Sequence, residues 1–255
     1  MISLEKITTN GKALFLAYDQ GMEHGTADFD DENIDPNYIL SIGIEGGFNA
    51  IIFQKGIAEK YYPSPSSGQA HRVPLIIKLN GKTNLIKDQD PYSPLLCTVE
   101  EAVSLGAVAV GYTVYVGSEF ENKMIEELSK IVREAHEKNI PVVSWMYPRG
   151  RNVKNPNSKE TVAYAARMGL ELGADIVKIQ YPGFKDALSW AVEAAGKTKV
   201  VVSGGAKQTE QEFLEMARNI MKAGAIGMAV GRNIWQNKDP MGITERLKEV
   251  IFEKE

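Results

Sequence analysis

The amino-acid sequence predicts an α/β protein built as one (β/α)8 TIM barrel, and three observations carry that reading. Eight short apolar runs recur along the chain, each leading toward an amphipathic helical segment. They recur roughly every 24–37 residues, which is the length of one βα unit. The 255 residues match the size of a single barrel, so one domain over residues 1–255 is expected.

The elements follow in order. The first run is Ala13–Tyr18 and leads into a long polar segment, Asp19–Asn37. The second and third are Ala50–Gln54 and Pro74–Leu79, with a Pro/Ser stretch at Pro63–Gly68 before the third. That stretch precedes a strand, so it is expected at the end of the barrel away from the post-strand loops. The fourth, Ala107–Thr113, precedes a helix over Glu119–Asn139 with Met124, Leu128, Ile131, Val132 and Ala135 at helical spacing. Pro141–Tyr147 precedes a helix over Ser158–Leu172, opened by Ser158 and Thr161. The sixth run is Ala174–Gln180. The seventh, Lys199–Ser203, is followed by a helix over Thr209–Ala223 whose Thr209 and Glu212 have capping-box spacing. The eighth is Ala225–Gly231. Near-continuous apolar strands belong to a parallel sheet covered by helices. Gly106, Gly173 and Gly224 each precede an alanine and supply the left-handed residue that stops a helix. Eight alternations favour a closed barrel over an open doubly wound sheet.

Composition narrows the function. Hydrophobic residues make up 44% and charged residues 24%, as in a globular protein with a real core. Against 33 acidic residues stand 29 Lys and Arg, a net charge of −4, which argues against a nucleic-acid or membrane footprint. The single cysteine, Cys97, excludes an intramolecular disulfide framework and fits a reducing cytoplasm. Residues 1–17 show no long apolar signal region, and no run approaches the length of a membrane span.

The polar segments after the first, third and fifth runs, Asp19–Asn37, Asn80–Thr98 and Pro148–Lys159, are expected on the C-terminal face, where barrel active sites sit. Lys178 lies inside the sixth run with Val177 and Ile179 on the opposite face, which points it into the barrel. Burial lowers a lysine's pKa and yields a neutral amine able to attack a carbonyl, unless a carboxylate across the barrel pairs with it. Trp145 and Tyr147 share one face at the end of the fifth run, just before Arg149. A phenol there can act as general acid or base, and an indole can pack against a substrate chain; both can also serve as core plugs. Asp19 falls where the first strand meets the rim, either beside the amine or as a turn cap. Ser203, Gly204 and Gly205 end the seventh run, and Gly231 and Arg232 end the eighth, a pairing suited to phosphate or else plain tight turns beside a solvent-exposed arginine. Only three histidines exist, and only His24 maps near the rim, so a metal centre is not expected. No cofactor is expected either.

In seven ordered blocks the chain resembles the archaeal-type class I fructose-1,6-bisphosphate aldolases. The blocks are AYDQGMEHG (17–25), NGKTNL (80–85), DPYSPL (90–95), SWMYPRG (144–150), GADIVKIQY (173–181), VVSGG (201–205) and AVGRNIWQ (229–236). The resemblance implies Lys178 as the Schiff-base lysine, Tyr147 as proton donor, and Asp19 and Trp145 as active-site partners. It implies phosphate contacts from Ser203, Gly204, Gly205, Gly231 and Arg232, with His24 and Arg149 available for the far phosphate. It implies a small-molecule sugar phosphate as substrate, no nucleic-acid or membrane partner, and a homo-oligomer. Gln20 stands where many relatives carry histidine; its amide hydrogen-bonds but cannot titrate. The implied reaction is reversible cleavage of fructose 1,6-bisphosphate to dihydroxyacetone phosphate and glyceraldehyde 3-phosphate. The related 2-amino-3,7-dideoxy-D-threo-hept-6-ulosonate synthases share the lysine and YPRG block, but Trp145 and Glu23-His24-Gly25 favour the bisphosphate aldolase. A non-catalytic phosphosugar-binding barrel would have no reason to hold Lys178, Tyr147 and Asp19 together.

Overall fold

A computed structural model describes residues 2–63 and 72–252. Eight parallel strands close into a barrel in chain order: β1 (Ala13–Ala17), β2 (Ala50–Gln54), β3 (Leu75–Lys78), β4 (Ala109–Val116), β5 (Val142–Pro148), β6 (Ile176–Ile179), β7 (Lys199–Ser203) and β8 (Gly227–Val230). β1 pairs with both β2 and β8, which closes the sheet and removes every edge. Helices α1 (Gly21–His24), α2 (Pro36–Glu45), α3 (Lys55–Tyr61), α4 (Val99–Ser104), α5 (Glu121–Glu137), α6 (Lys159–Glu171), α7 (Lys185–Ala195), α8 (Glu210–Lys222), α9 (Arg232–Trp235) and α10 (Pro240–Phe252) lie between and after the strands.

Alternation along each strand sorts the core into two shells. Phe15, Ile52, Ile76, Val143, Trp145, Ile176, Val201 and Ala229 fill the barrel interior. Their neighbours Leu14, Leu16, Ile51, Phe53, Ile77, Val177, Val200 and Val202 meet the helices outside. Burying both faces explains why the strands read as continuous apolar runs.

The expected helices form with the expected caps. Ser158 accepts from the Thr161 N–H, and Thr209 and Glu212 make a reciprocal capping box on α8. Gly106, Gly173 and Gly224 hold φ values of 89°, 83° and 92°, the left-handed region that ends a helix without a Cβ penalty. Three strands depart from expectation by two residues or more at one end, among them β8, which keeps only Gly227–Val230 of the run Ala225–Gly231. β4 starts at Ala109 rather than Ala107 and runs on to Val116, because it stays paired with β5 through Val116 and Pro148. β6 is shorter than the apolar run that announced it, pairing only through Ile176–Ile179. The first polar segment holds the short α1 and runs into the start of α2, which Asp35 caps by accepting from the Asn37 N–H. His71 and most of the Pro63–Gly68 stretch lie outside the described residues.

Candidate active site

The C-terminal ends of the strands surround one cleft, and all twelve residues singled out from the sequence line it. These are Asp19, Gln20, His24, Trp145, Tyr147, Arg149, Lys178, Ser203, Gly204, Gly205, Gly231 and Arg232. Glu23, Lys78, Gln180 and Trp235 join them.

Lys178 stands in register between Trp145 of β5 and Val201 of β7. It is buried, and its Nζ lies 4.8 Å from the centroid of the Trp145 ring. The indole reaches this position because β4 carries Gly111 beneath it: a Cβ there would sit 2.1 Å from a ring carbon. Burial is the main cause that lowers the Lys178 pKa to about 8, with Lys78 adding to it and Asp19 opposing.

Lys78 is a second buried lysine in the cleft and was not singled out from the sequence. Its Nζ lies 3.2 Å from Asp19 Oδ2, with both side chains almost fully enclosed. The signal was present: Lys78 ends an apolar strand and shares the inward face of Ile76, by the same alternation that pointed to Lys178. Burial alone would raise the Asp19 pKa, but Lys78 and Lys178 together hold it below the ordinary carboxylate range. The cleft floor is thus a carboxylate between two amines.

Tyr147 sits one turn of the pleat above Trp145, and burial pushes its phenol well above the usual tyrosine pKa, with Asp19 adding to the shift. It therefore stays protonated and can donate. Arg149 extends from the end of the same strand, its guanidinium over Tyr147 at 5.5 Å and Tyr115 at 5.6 Å. Its Nη1 donates to Glu23 Oε1 at 2.7 Å, and Tyr115 Oη donates to the same carboxylate at 3.2 Å. Burial opposes ionisation of Glu23, yet Lys78, Arg149 and Lys82 keep its pKa lowered.

The ends of β7 and β8 make a cradle of backbone. Gly205 has φ 71°, and a Cβ at Gly231 would approach the Ala17 carbonyl oxygen at 2.8 Å, so both positions require glycine. The Gly204 N–H already donates to the Ala229 carbonyl at 2.9 Å, so this glycine contributes close approach rather than a donor. Asn233, also missed in the sequence, is buried and fixes the loop by donating to the carbonyls of Gly204 at 2.8 Å and Ala206 at 2.9 Å. Arg232 donates to the Gly205 carbonyl at 3.2 Å and faces Asp28 at 3.6 Å. His24 Nδ1 meets the same Asp28 carboxylate at 2.6 Å. The structure therefore groups His24 with Arg232, and Arg149 with Glu23, whereas the resemblance paired His24 with Arg149.

A buried amine of lowered pKa, a protonated phenol, an ionised carboxylate and an anion cradle around one cleft define the chemistry of a Schiff-base aldolase barrel. Comparison with known proteins agrees. Residues 13–237 match the family described as DeoC/LacD family aldolase. The chain is 52% identical over 245 residues to the class 1 fructose-bisphosphate aldolase of Thermoproteus tenax, covering 95% of this chain and 90% of that one. It is 46% identical over 250 residues to the class 1 enzyme of Halobacterium salinarum, covering 97% and 93%. A solved archaeal fructose-1,6-bisphosphate aldolase, its catalytic lysine bound to the carbinolamine intermediate, superposes with a TM-score of 0.92 at 49% identity over 98% of each chain. The chain belongs to the DeoC/LacD aldolases and, within them, to the archaeal-type class I fructose-bisphosphate aldolases.

Proposed function

We propose that the protein catalyses the reversible cleavage of fructose 1,6-bisphosphate to dihydroxyacetone phosphate and glyceraldehyde 3-phosphate, the step shared by glycolysis and gluconeogenesis. The observation that carries this reading is Lys178, a buried amine with a pKa lowered to about 8 at the mouth of the barrel.

Lys178 Nζ adds to C2 of the open-chain ketose, and loss of water leaves an iminium. The iminium draws the C3–C4 electron pair into an enamine as the C4 hydroxyl passes its proton to the ionised Asp19 carboxylate and becomes the aldehyde carbonyl. Tyr147 then gives its phenolic proton to C3 and recovers one from Asp19, regenerating an iminium that water hydrolyses to the ketone and free amine. Its raised pKa suits the donor role, because the phenol holds its proton until the carbanionic carbon forms. Asp19, kept ionised by the two lysines, orients substrate hydroxyls and the protons of the carbinolamine. Trp145 packs under the amine and limits water there. Ser203, Gly205, Gly231 and Arg232 hold the phosphate next to C2, with Gly204 giving room and His24 beside Arg232. Arg149 takes the far phosphate. Gln20 hydrogen-bonds substrate without titrating. No step requires a cofactor or metal.

We infer a homo-oligomer from aromatic side chains left on the outside of the barrel, Tyr164 on α6 and Phe184 and Trp190 at α7. The lone buried thiol of Cys97 suits a cytoplasmic protein. The functional reading is tested by offering fructose 1,6-bisphosphate and the substrates of aminodideoxyheptulosonate synthesis side by side. Release of both triose phosphates is expected. Turnover of the second set alone overturns the assignment.

A further inference from the structure

The block Asp90–Leu95 has no part in the chemistry above, and Asp90 lies outside the cleft. It is nevertheless buried. Its Oδ1 accepts from the Arg151 backbone N–H at 2.9 Å and from Arg151 Nε at 3.3 Å, and its Oδ2 accepts from the Glu119 N–H at 2.9 Å. Arg151 Nη2 reaches on to Glu119 at 2.8 Å, and Ser118 Oγ donates to the Pro91 carbonyl at 2.7 Å. One carboxylate therefore ties together the rim loops that follow β3, β4 and β5.

What this knot borders is Arg149. Between Arg149 and Arg151 stands Gly150, where a Cβ would come within 2.2 Å of the Gly117 carbonyl oxygen, so no side chain can anchor the chain at that point. Upstream, the Arg149 N–H is fixed by the Val116 carbonyl at 3.0 Å. Downstream, the peptide joining Gly150 to Arg151 is held on both sides: the Gly150 carbonyl accepts from the Val153 N–H at 3.0 Å, and the Arg151 N–H donates to Asp90 at 2.9 Å, the one of the two holds that reaches another rim loop. The Arg149 guanidinium must meanwhile satisfy Glu23 and stay over two aromatic rings, a pose that a small backbone shift would spoil.

We propose that Asp90 is a positioning residue for Arg149 and thereby sets the enzyme's preference for a bisphosphate over a monophosphate substrate. The inference rests on the assignment of Arg149 to the far phosphate. A carboxylate is required because donors alone face it from Glu119 and Arg151. An amide in its place would turn an NH2 group onto one of those N–H groups.

The test is kcat and KM on fructose 1,6-bisphosphate and fructose 1-phosphate for wild type, Asp90→Asn, Arg149→Ala and the double variant, with thermal midpoints for each. Asp90→Asn is expected to lower kcat/KM for the bisphosphate by about 10–100-fold, the scale of a slightly misplaced binding group, and to leave fructose 1-phosphate nearly unchanged. On the Arg149→Ala background the same change should add no further loss. Multiplied losses in the double variant, or equal losses on both substrates, overturn the proposal. Should Asp90→Asn fail to fold, Arg151→Met keeps the backbone bond and removes the side-chain contacts. It should give a smaller loss with the same substrate pattern, and equal loss on both substrates again overturns the idea. If Arg149→Ala itself harms both substrates alike, the far-phosphate assignment fails, and the double variant still shows whether Asp90 acts through Arg149.

Discussion

Replacing Lys78 with methionine removes one charge from the cleft floor while keeping the reach of the side chain. Lys78 Nζ lies 3.2 Å from Asp19 Oδ2. At an effective dielectric of about 20, unit charges at that separation attract by about 5 kcal/mol, and breaking a buried pair typically costs about 3–5 kcal/mol. Without Lys78, Lys178 becomes the cation nearest Asp19 and also loses the repulsion that helps keep it neutral. Both changes favour the ammonium form. If a third to a half of the lost interaction falls on Lys178, its pKa climbs by about 1–2 units at 1.36 kcal/mol per unit. The wild-type pKa is lowered, so the reactive neutral amine grows as pH rises through about 8 and forms about one-tenth of the population at pH 7. In Lys78→Met that fraction drops to about 0.1–1%, and iminium formation at pH 7 slows by about 10–100-fold. The assay is the rate of borohydride-trapped adduct with dihydroxyacetone phosphate from pH 6 to 10. The acid limb should move from near 8 toward 9–10, and Lys78→Arg should hold it near the wild-type position. A Lys78→Met limb that stays near 8 refutes the electrostatic reasoning.

Two further outcomes follow from the same geometry. Tyr147→Phe keeps the ring and removes only the hydroxyl, so trapping at Lys178 should persist while turnover falls by about 10²–10⁴-fold; near-normal turnover would mean that Tyr147 only packs. Arg232→Ala removes a charged fork from the cradle and should weaken phosphorylated substrate by about 1.5–3 kcal/mol, or roughly 10–150-fold in kcat/KM. The loss should fall on substrates carrying the phosphate that Arg232 contacts, and equal loss on fructose 1,6-bisphosphate and on both monophosphates would remove Arg232 from the phosphate site.

The barrel was legible because both faces of every strand are buried, so each strand is written as an apolar run. Residues with a strand-local signal were legible for the same reason: Lys178 is a charge in an apolar run, and Gly205 and Gly231 interrupt strand ends. Lys78 carries the same signal as Lys178, an inward charge between Ile77 and Leu79 of an apolar run, and only its pairing with Asp19 across the barrel lay beyond the sequence. Pairings between distant loops were not legible. Glu23 and Arg149 are 126 residues apart, and Asp90 and Arg151 are 61 apart, so only closure of the barrel brings them together. The extension of β4 to Val116 was hidden because strand length depends on the partner strand rather than on the run itself.

The central claim is that Lys178 is the amine that binds the substrate carbonyl. The direct measurement is borohydride reduction in the presence of dihydroxyacetone phosphate, followed by mass analysis of the intact chain and its peptides. One reduced adduct per chain, located at Lys178 and accompanied by loss of cleavage activity, is the predicted result. An adduct at Lys78 or another lysine, or full activity with Lys178 unmodified, would contradict the account.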